Sequence, residues 1–558
     1  MDLQRAFLAI VLSFIILFGY QYLFVKPAVN QQQNTVQQVE KKKVAEREAA
    51  TQTEKKQVAA TPKPAVVQPA APVIAEDPDA RDITIETPLY TAVLTEQGGG
   101  FKHFILKKYR TELNKSSANM DLVPDMSIGE LPVVFSLDNG AGTTLPAFHA
   151  DRDKLSLTDA AETKTLTMKA TLADGIVVTR TLTFRGDSYM VDMKYTIDNP
   201  GTGSVRISPA MGMNNTPFAH GSTTSRYLFR GPAIYVDAKL NQIKPKKLTD
   251  GPKVFQGDVS WVGYEDNYFI DSLIPLREGN HMVTIGGTAS RIRTVISEGE
   301  TTLAPKGNAV YQYKMYFGPK KLSILKKEDH NLAKAINFGW FDILAKPTLW
   351  LLNYLYGYIG NYGVAIIIVT ILIKAVFWPI TSKGMRSMKN MQKLQPKVAK
   401  LKEKYKDDPS RMNQEMMALY KTYKVNPVGG CLPMVIQIPF FFALYRVLMA
   451  AIELRHAPFM LWINDLSAPD RLMVGFDIPY VHGIPVLTLL MGLSMYLQQK
   501  MTPTTADPTQ AKIMQFLPVV FTFMFINFAS GLVLYWFVNN LLSILQQQLI
   551  NRQVKATA

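Results

Sequence analysis

At 558 residues the chain is too long for one ordinary domain, and 47% hydrophobic content beside 19% charge suits apolar spans joined to a soluble part. A net charge of +16 calls for an anionic partner or, in a membrane protein, for basic loops on the cytoplasmic side. The single cysteine, Cys431, excludes a disulfide within the chain. The sequence has no G-x-x-x-x-G-K-[ST] loop and no Cys/His zinc spacing, which argues against an internal ATP motor, a metal site or any other cofactor.

Residues 1–26 open with Arg5 and an apolar run from Ala6 to Val25, followed by Lys26-Pro27. A cleaved signal peptide would have a shorter apolar core and a small-residue cleavage site, so an uncleaved transmembrane anchor is the better fit. Residues 27–80 are rich in Gln, Lys, Glu, Ala and Pro, a composition that cannot bury a core and reads as a flexible tether.

Over 81–330 the apolar period is two. Leu166, Met168, Ala170 and Leu172 alternate with polar residues before Asp174-Gly175; Ile176, Val178, Leu182 and Phe184 follow before Gly186-Asp187; Tyr189, Val191, Met193, Tyr195 and Ile197 run up to Asn199-Pro200. Strands at this spacing, punctuated by turn residues, predict a large antiparallel sandwich. Its histidines up to residue 325 (His103, His149, His220 and His281) form no catalytic grouping.

Residues 331–356, aromatic and interrupted at Lys346-Pro347, predict an amphipathic helix lying at a membrane surface. Apolar segments follow at 357–380, 429–452, 483–501, 514–529 and 531–549, the last two forming a tight hairpin. With the anchor, the chain reads as a polytopic α-helical inner-membrane protein of six transmembrane helices. Five of them make a core over 357–550, and 551–558 is a tail.

Residues 381–427 carry twelve Lys/Arg against four Asp/Glu, whereas 454–481 carry only Arg455 and Arg471. Basic short loops stay cytoplasmic, which places 381–427 and both termini in the cytoplasm and the β domain in the periplasm. The basic loop itself reads as a helical hairpin. Met388, Met391, Leu394, Val398, Leu401 and Tyr405 form one apolar stripe, Asp408-Pro409 starts a second helix, and Met412, Met416, Leu419 and Tyr423 continue on it. The stripes either pack on each other or offer a methionine-rich surface to varied apolar segments, beside a basic face for lipid headgroups or ribosomal RNA.

Lys374 lies within "IIIVTILIKAVFWPI", where a central lysine costs about 2.5–3.5 kcal/mol on insertion scales. Thr370 and Thr381 share its helical stripe. Tyr535, Asn539, Ser543 and Gln546 line another, and Gln437, Ser494, Gln498, Gln515, Thr522 and Asn527 dot the remaining spans. Polar groups in a bilayer face protein or water, so the stripes point to a shared hydrated cavity. Two other readings stand beside it: Lys374 snorkels to the cytoplasmic interface, and the Ser, Thr and Asn residues join helices.

"QEMMALYKTYKVNPVGGCLPMVIQIPFFFALY" (414–445), "LQQKMTPTTADPTQAKIMQFLPVVFTFMF" (497–525) and "SGLVLYWFVNNLLSILQQQLI" (530–550) closely resemble the YidC/Oxa/Albino family of membrane-protein insertases, in its Gram-negative form. The resemblance covers nearly the whole chain. It implies a periplasmic β-supersandwich and a hydrophilic groove open to cytoplasm and lipid. It also implies ATP-independent insertion and folding of inner-membrane proteins, alone or with the Sec translocon. The family's groove charge, usually arginine, falls on Lys374, and Thr370, Gln437 and Tyr535 match groove positions; Asn527 and Asn539 complete the candidate substrate-binding set. Residues 383–423 match the family's cytoplasmic hairpin. There Met385, Met388, Met391, Lys393, Lys397, Met412 and Met416 are the candidate contacts for substrate, ribosome and targeting factors. Expected partners are thus nascent inner-membrane proteins, Sec and its accessory subunits, the ribosome and lipids, with no DNA. Beyond Ile550 only Arg552 and Lys555 are basic, which implies weak ribosome holding. The alternatives are a small-solute transporter or channel using Lys374 as its binding charge, and a mutarotase-like enzyme in the β domain. No internal repeat supports the transporter.

Overall fold

The computed structural model describes residues 73–74 and 77–556, apart from 115, 125, 139–143, 146, 173, 219–228, 424, 426–431, 477, 479–480 and 502–507. The expected anchor at 1–26, nearly all of the tether, His220 and Cys431 lie outside the described residues.

Period-two patterning produces the strands it predicts. Strands β1 (Asp82–Glu86), β2 (Tyr90–Thr95) and β3 (Phe101–Arg110) form the centre of a five-stranded sheet. Strands β4 (Thr163–Thr171), β5 (Val177–Arg185) and β6 (Met190–Asp198) form an antiparallel meander, Leu166 pairing with Leu182 and Leu182 with Met193. They belong to a thirteen-stranded sheet with β7 (Lys253–Glu265), β8 (Phe269–Pro275) and β9 (Asn308–Pro319). The alternating residues named above that lie in β4 to β6 are buried, and so are Arg180 on β5 and Met190 at the start of β6. The two sheets meet through aromatic rings: Tyr90 lies 6.2 Å from Tyr189, and Phe104 packs edge-on at 5.5 Å against Phe317. Such pairs add roughly 0.5–1.5 kcal/mol beyond their buried area. His103 pairs with Asp121 at 2.7 Å, and His281 contacts the Arg277 carbonyl at 2.9 Å, so both are structural.

Strand β9 leads into α1 (Leu322–Glu328), then into three consecutive residues with positive φ, Asp329, His330 and Asn331. Trp261 on β7 donates to the Asn331 carbonyl at 3.2 Å and fixes this bend to the sheet. Helix α2 (Asp342–Ile359) starts later than expected and runs straight through Pro347. The missing N–H falls early in the helix, where Asp342 pairs with Lys346 at 2.6 Å and Thr348 donates to the Leu344 carbonyl at 2.7 Å. Gly360 ends α2 in the left-handed region, and Asn361 caps α3 (Tyr362–Lys393) by accepting from Val364 at 3.1 Å.

Helix α3 is the one described helix long and apolar enough by itself to cross a membrane. It does not stop near residue 380 but continues into the basic loop as far as Lys393. The break comes at Leu394, ahead of Pro396 in α4 (Gln395–Lys404), because proline cannot extend the preceding ladder. Helix α5 (Pro409–Thr422) is capped by Asp408, whose carboxylate accepts from Arg411 at 3.0 Å. The remaining helices are α6 (Leu432–Ala450), α7 (Val486–Met501), α8 (Pro508–Phe525) and α9 (Ser530–Ala556). Residues 551–556 therefore continue α9 rather than forming a separate tail. Lys389 donates to Asn551 Oδ1 at 3.1 Å and Arg386 to Gln553 Oε1 at 2.8 Å, holding that end against α3.

The helices expose large apolar side chains, among them Val376, Leu493, Phe516 and Phe523 at 56–72%. Exposed apolar surface on this scale marks contact with a membrane or another protein.

Candidate functional site: a polar line between three helices

Helices α3 and α9 run parallel in a register readable at two levels. A Cβ on Gly531 would stand 3.4 Å from Ile366, and fifteen residues further along each helix Gln546 Nε2 donates to Thr381 Oγ1 at 2.7 Å. Both pairs are separated by 165 positions. The same offset sets Thr370 level with Tyr535 and Lys374 level with Asn539, one helical turn further on. Asn539 Oδ1 accepts from Gln437 Nε2 of α6 at 2.9 Å, and the Tyr535 hydroxyl is within interaction range of the same glutamine. Five of the expected residues thus lie at two adjacent levels on α3, α6 and α9, with Gln437, Asn539 and Tyr535 in contact.

All five are removed from bulk solvent to differing degrees. Thr370 and Tyr535 are buried, Gln437 and Asn539 half-buried, and Lys374 is 8% exposed. Among the described residues Lys374 makes no ion pair. Thr370 directs its hydroxyl to the Ile366 carbonyl of its own helix at 2.6 Å, and Ser543 does the same to Asn539 at 2.7 Å. Lys374, Gln437, Asn539 and Tyr535 are therefore the members with chemistry to offer outward.

Asn527 does not belong to this group. It sits at the bend between α8 and α9, exposed, and its Oδ1 accepts from Arg471 at 2.9 Å. Arg471 also donates to the Ile526 carbonyl at 2.8 Å, so the pair locks the bend. Gln546 is a joint as well: fully buried, it bonds Thr381 and also Ser382 at 3.0 Å, while its Oε1 finds no partner among the described residues.

Two joints escaped the sequence reading. Asn540 donates to Ser494 of α7 at 3.0 Å, and Gln547 to the Met501 carbonyl at 2.8 Å. Their only sequence signal is a polar residue beside another polar residue in an apolar run. At the far end, Tyr362 donates to Asn353 at 2.9 Å and Asn353 to the half-buried Glu453 at 3.5 Å.

In the hairpin, Met391 is buried with Leu394, Val425 and Tyr420 where the two arms meet, so it is not an outward-facing contact. Met385, Met388, Met412 and Met416 are half-buried, and Lys393 and Lys397 exposed. Lys397 bonds the Tyr423 hydroxyl and lies 4.4 Å over its ring. The exposed methionine among the described hairpin residues is Met417, 62% exposed, which the stripe pattern passed over because it lies about 100° around the helix from Met416.

The family model for the 60Kd inner membrane protein matches residues 354–557, and that for the YidC periplasmic domain matches residues 82–351. A protein of Syntrophobacter fumaroxidans described as a membrane protein insertase YidC is 42% identical over 488 residues, covering 86% of this chain and 88% of its own. One of Geobacter metallireducens with the same description is 41% identical over 561 residues, 99% of each chain. A solved structure of an active YidC insertase with its first transmembrane domain resolved aligns over 85% of this chain and 94% of its own, at 20% identity and a TM-score of 0.35.

Proposed function

The chain belongs to the YidC family of membrane protein insertases, and from that premise we propose how its own residues carry the insertion. Its function is the insertion of membrane proteins into the inner membrane, not an enzymatic reaction, and this sets aside both the transporter and the mutarotase readings.

In the proposed mechanism α3, α6, α7, α8 and α9 span the membrane with the 1–26 anchor, and the hairpin and both termini face the cytoplasm. Lys374, Thr370, Gln437, Tyr535 and Asn539 line a hydrated groove open to cytoplasm and lipid. A short polar tail of the nascent substrate enters it, drawn by the Lys374 ammonium when the tail is acidic. Side-chain amides and the tyrosine hydroxyl replace part of the tail's lost hydration, which lowers the penalty of moving polar groups part-way across. The apolar segment of the substrate then slides along α6 and α8 into lipid, and its burial drives the step without nucleotide hydrolysis. At the hairpin, Lys393, Lys397 and the half-buried methionines receive the ribosome, targeting factors and the emerging chain. The Sec translocon is a partner, insertion proceeding alone or with it.

The observation that carries this reading is the level shared by Lys374 and the Asn539–Gln437 pair on three different helices. Photocrosslinking residues at Thr370 and at Tyr535, with ribosome-bound nascent single-span proteins, test it. Crosslinks from both are expected; none from either, in folded protein, refutes the groove.

A further inference from the structure

Residues 451–485 join α6 to α7, and by their charge pattern they read as an ordinary periplasmic loop. The structure inverts that surface. The loop is bound to one end of the helix bundle at four places. Asn361 at the start of α3 donates to the Phe459 carbonyl at 2.8 Å, and Ser530 and Gly531 at the start of α9 donate to Ala468 and Leu466 at 2.7 and 2.9 Å. Arg471 reaches the end of α8, and the buried Asp470 accepts from Thr488 at the start of α7 at 3.1 Å.

Its charged side chains turn inward. Asp470 also accepts from Trp462 Nε1 at 2.6 Å, and Asp465 accepts from Ser467 Oγ at 2.7 Å and the His456 N–H at 3.1 Å. Arg455 donates to the Arg110 and Thr111 carbonyls of the β domain at 2.7 and 3.0 Å. The exposed large apolar side chains are Met460, Leu461, Met473 and Phe476, at 50, 79, 73 and 69% exposure, with Pro458 and the uncharged Asn464 exposed beside them. Among the described residues of 456–476, no charged side chain is exposed.

Charge inside and apolar groups outside is the arrangement expected of a segment whose solvent is lipid. Its level agrees: Phe459 packs where a Cβ on Gly363 would stand, at the start of α3, and Tyr354 and Tyr358 at the adjoining end of α2 are 50 and 77% exposed. Leu489 and Leu490 on α7 and Phe523 and Met524 on α8 are further exposed apolar side chains within a few residues of the bends that Asp470 and Arg471 hold, where Asn527 is the exposed polar residue.

We propose that residues 456–476 form a monotopic wedge, held at the headgroup–acyl boundary of the periplasmic leaflet by Met460, Leu461, Met473 and Phe476. The proposal rests on the bundle spanning the membrane as described above.

The test uses the full chain carrying Cys431→Ser and one of Leu461→Cys, Phe476→Cys, Met460→Cys or Met473→Cys. Each is labelled with an environment-sensitive fluorophore and reconstituted into phosphatidylethanolamine–phosphatidylglycerol vesicles. Phe523→Cys on α8 is the lipid reference and Asp174→Cys in the β4–β5 turn the water reference. A nitroxide near the top of the lipid acyl chain should quench the wedge positions about threefold more than position 174, and aqueous iodide about threefold less, as for side chains seated some 5–10 Å into the boundary. Iodide quenching equal to that at 174 refutes the wedge. Protection from both quenchers refutes it in favour of a protein cover such as a second copy. If position 523 itself escapes the nitroxide, the spanning premise has failed rather than the wedge alone.

Discussion

Replacing Lys374 by methionine separates stability from function, because the two should move in opposite directions. The lysine is 8% exposed and makes no ion pair among the described residues, so its ammonium is held where hydration is incomplete. A lysine at the centre of a span costs about 2.5–3.5 kcal/mol, and methionine keeps most of the stem's packing while removing that charge. Lys374→Met should therefore stabilise the bundle by roughly 1–3 kcal/mol, the lower end applying where groove water reaches the ammonium. An acidic substrate tail loses its attraction. Two unit charges about 6 Å apart attract by roughly 3 kcal/mol at an effective dielectric of 20 and by roughly 0.7 kcal/mol in water. Acidic-tail insertion relative to neutral-tail insertion should thus fall between about threefold and one hundredfold. Thermal unfolding in detergent reads the first quantity; protease protection of acidic- and neutral-tailed single-span substrates in proteoliposomes reads the second. Lys374→Arg should keep the ratio, since a point charge suffices. If Lys374→Met changes neither melting temperature nor ratio, the ammonium already snorkels among headgroups and the groove charge is an illusion of the helix pattern.

Two further outcomes follow from buried polar groups. Asp271 on β8 is fully buried with one oxygen accepting from Asn215 at 3.2 Å and the other unpartnered among the described residues; burial, then the nearby Asp266 and Asp121, push its pKa well above the usual carboxylate range. A raised folded-state pKa means that the contribution to stability is complete below the unfolded value near 4 and is lost as pH rises through the folded value, so melting temperature should fall from pH 5 to pH 8, and Asp271→Asn should flatten that fall. An unchanged slope in Asp271→Asn refutes this. Gln546→Leu gives up interhelical hydrogen bonds worth about 0.6 kcal/mol each but removes a buried oxygen whose lack of a partner costs about 1–3 kcal/mol. Its melting temperature should match or exceed the parent's, while Gln546→Ala, which leaves a cavity, should lose stability; equal losses in both would show that the hydrogen bonds carry the α3–α9 contact.

The strands were legible because a half-buried strand writes its environment into its own alternation, and the buried residues of β4 to β6 follow it except at Met190, which is buried beside Val191. Element ends were less legible. Pro347 read as a break and is not one, since an early proline forfeits a single hydrogen bond, whereas the break that does end α3, ahead of Pro396, fell inside what read as one apolar stripe. Met391 shows the same limit: a stripe says that one face is covered, not whether a second helix of the same chain or a passing substrate covers it.

For the polar residues of the spans the limit is sharper, and α9 shows why. Asn539 and Asn540 are neighbours in sequence and chemically identical, but successive residues point 100° apart around a helix. That rotation sends Asn539 to Gln437 on α6 and Asn540 to Ser494 on α7, so one stands in the polar line and the other is a joint between helices. Gln546 and Gln547 divide likewise between α3 and α7. Steps of four, four and three from Tyr535 do define one face of α9, which the sequence shows; which neighbour faces each position is settled by packing between segments up to 168 residues apart. The groove assignment therefore gains its weight from the register of α3 against α9. A shift of one residue in that register would set Lys374 level with Val538 or Asn540 instead of Asn539.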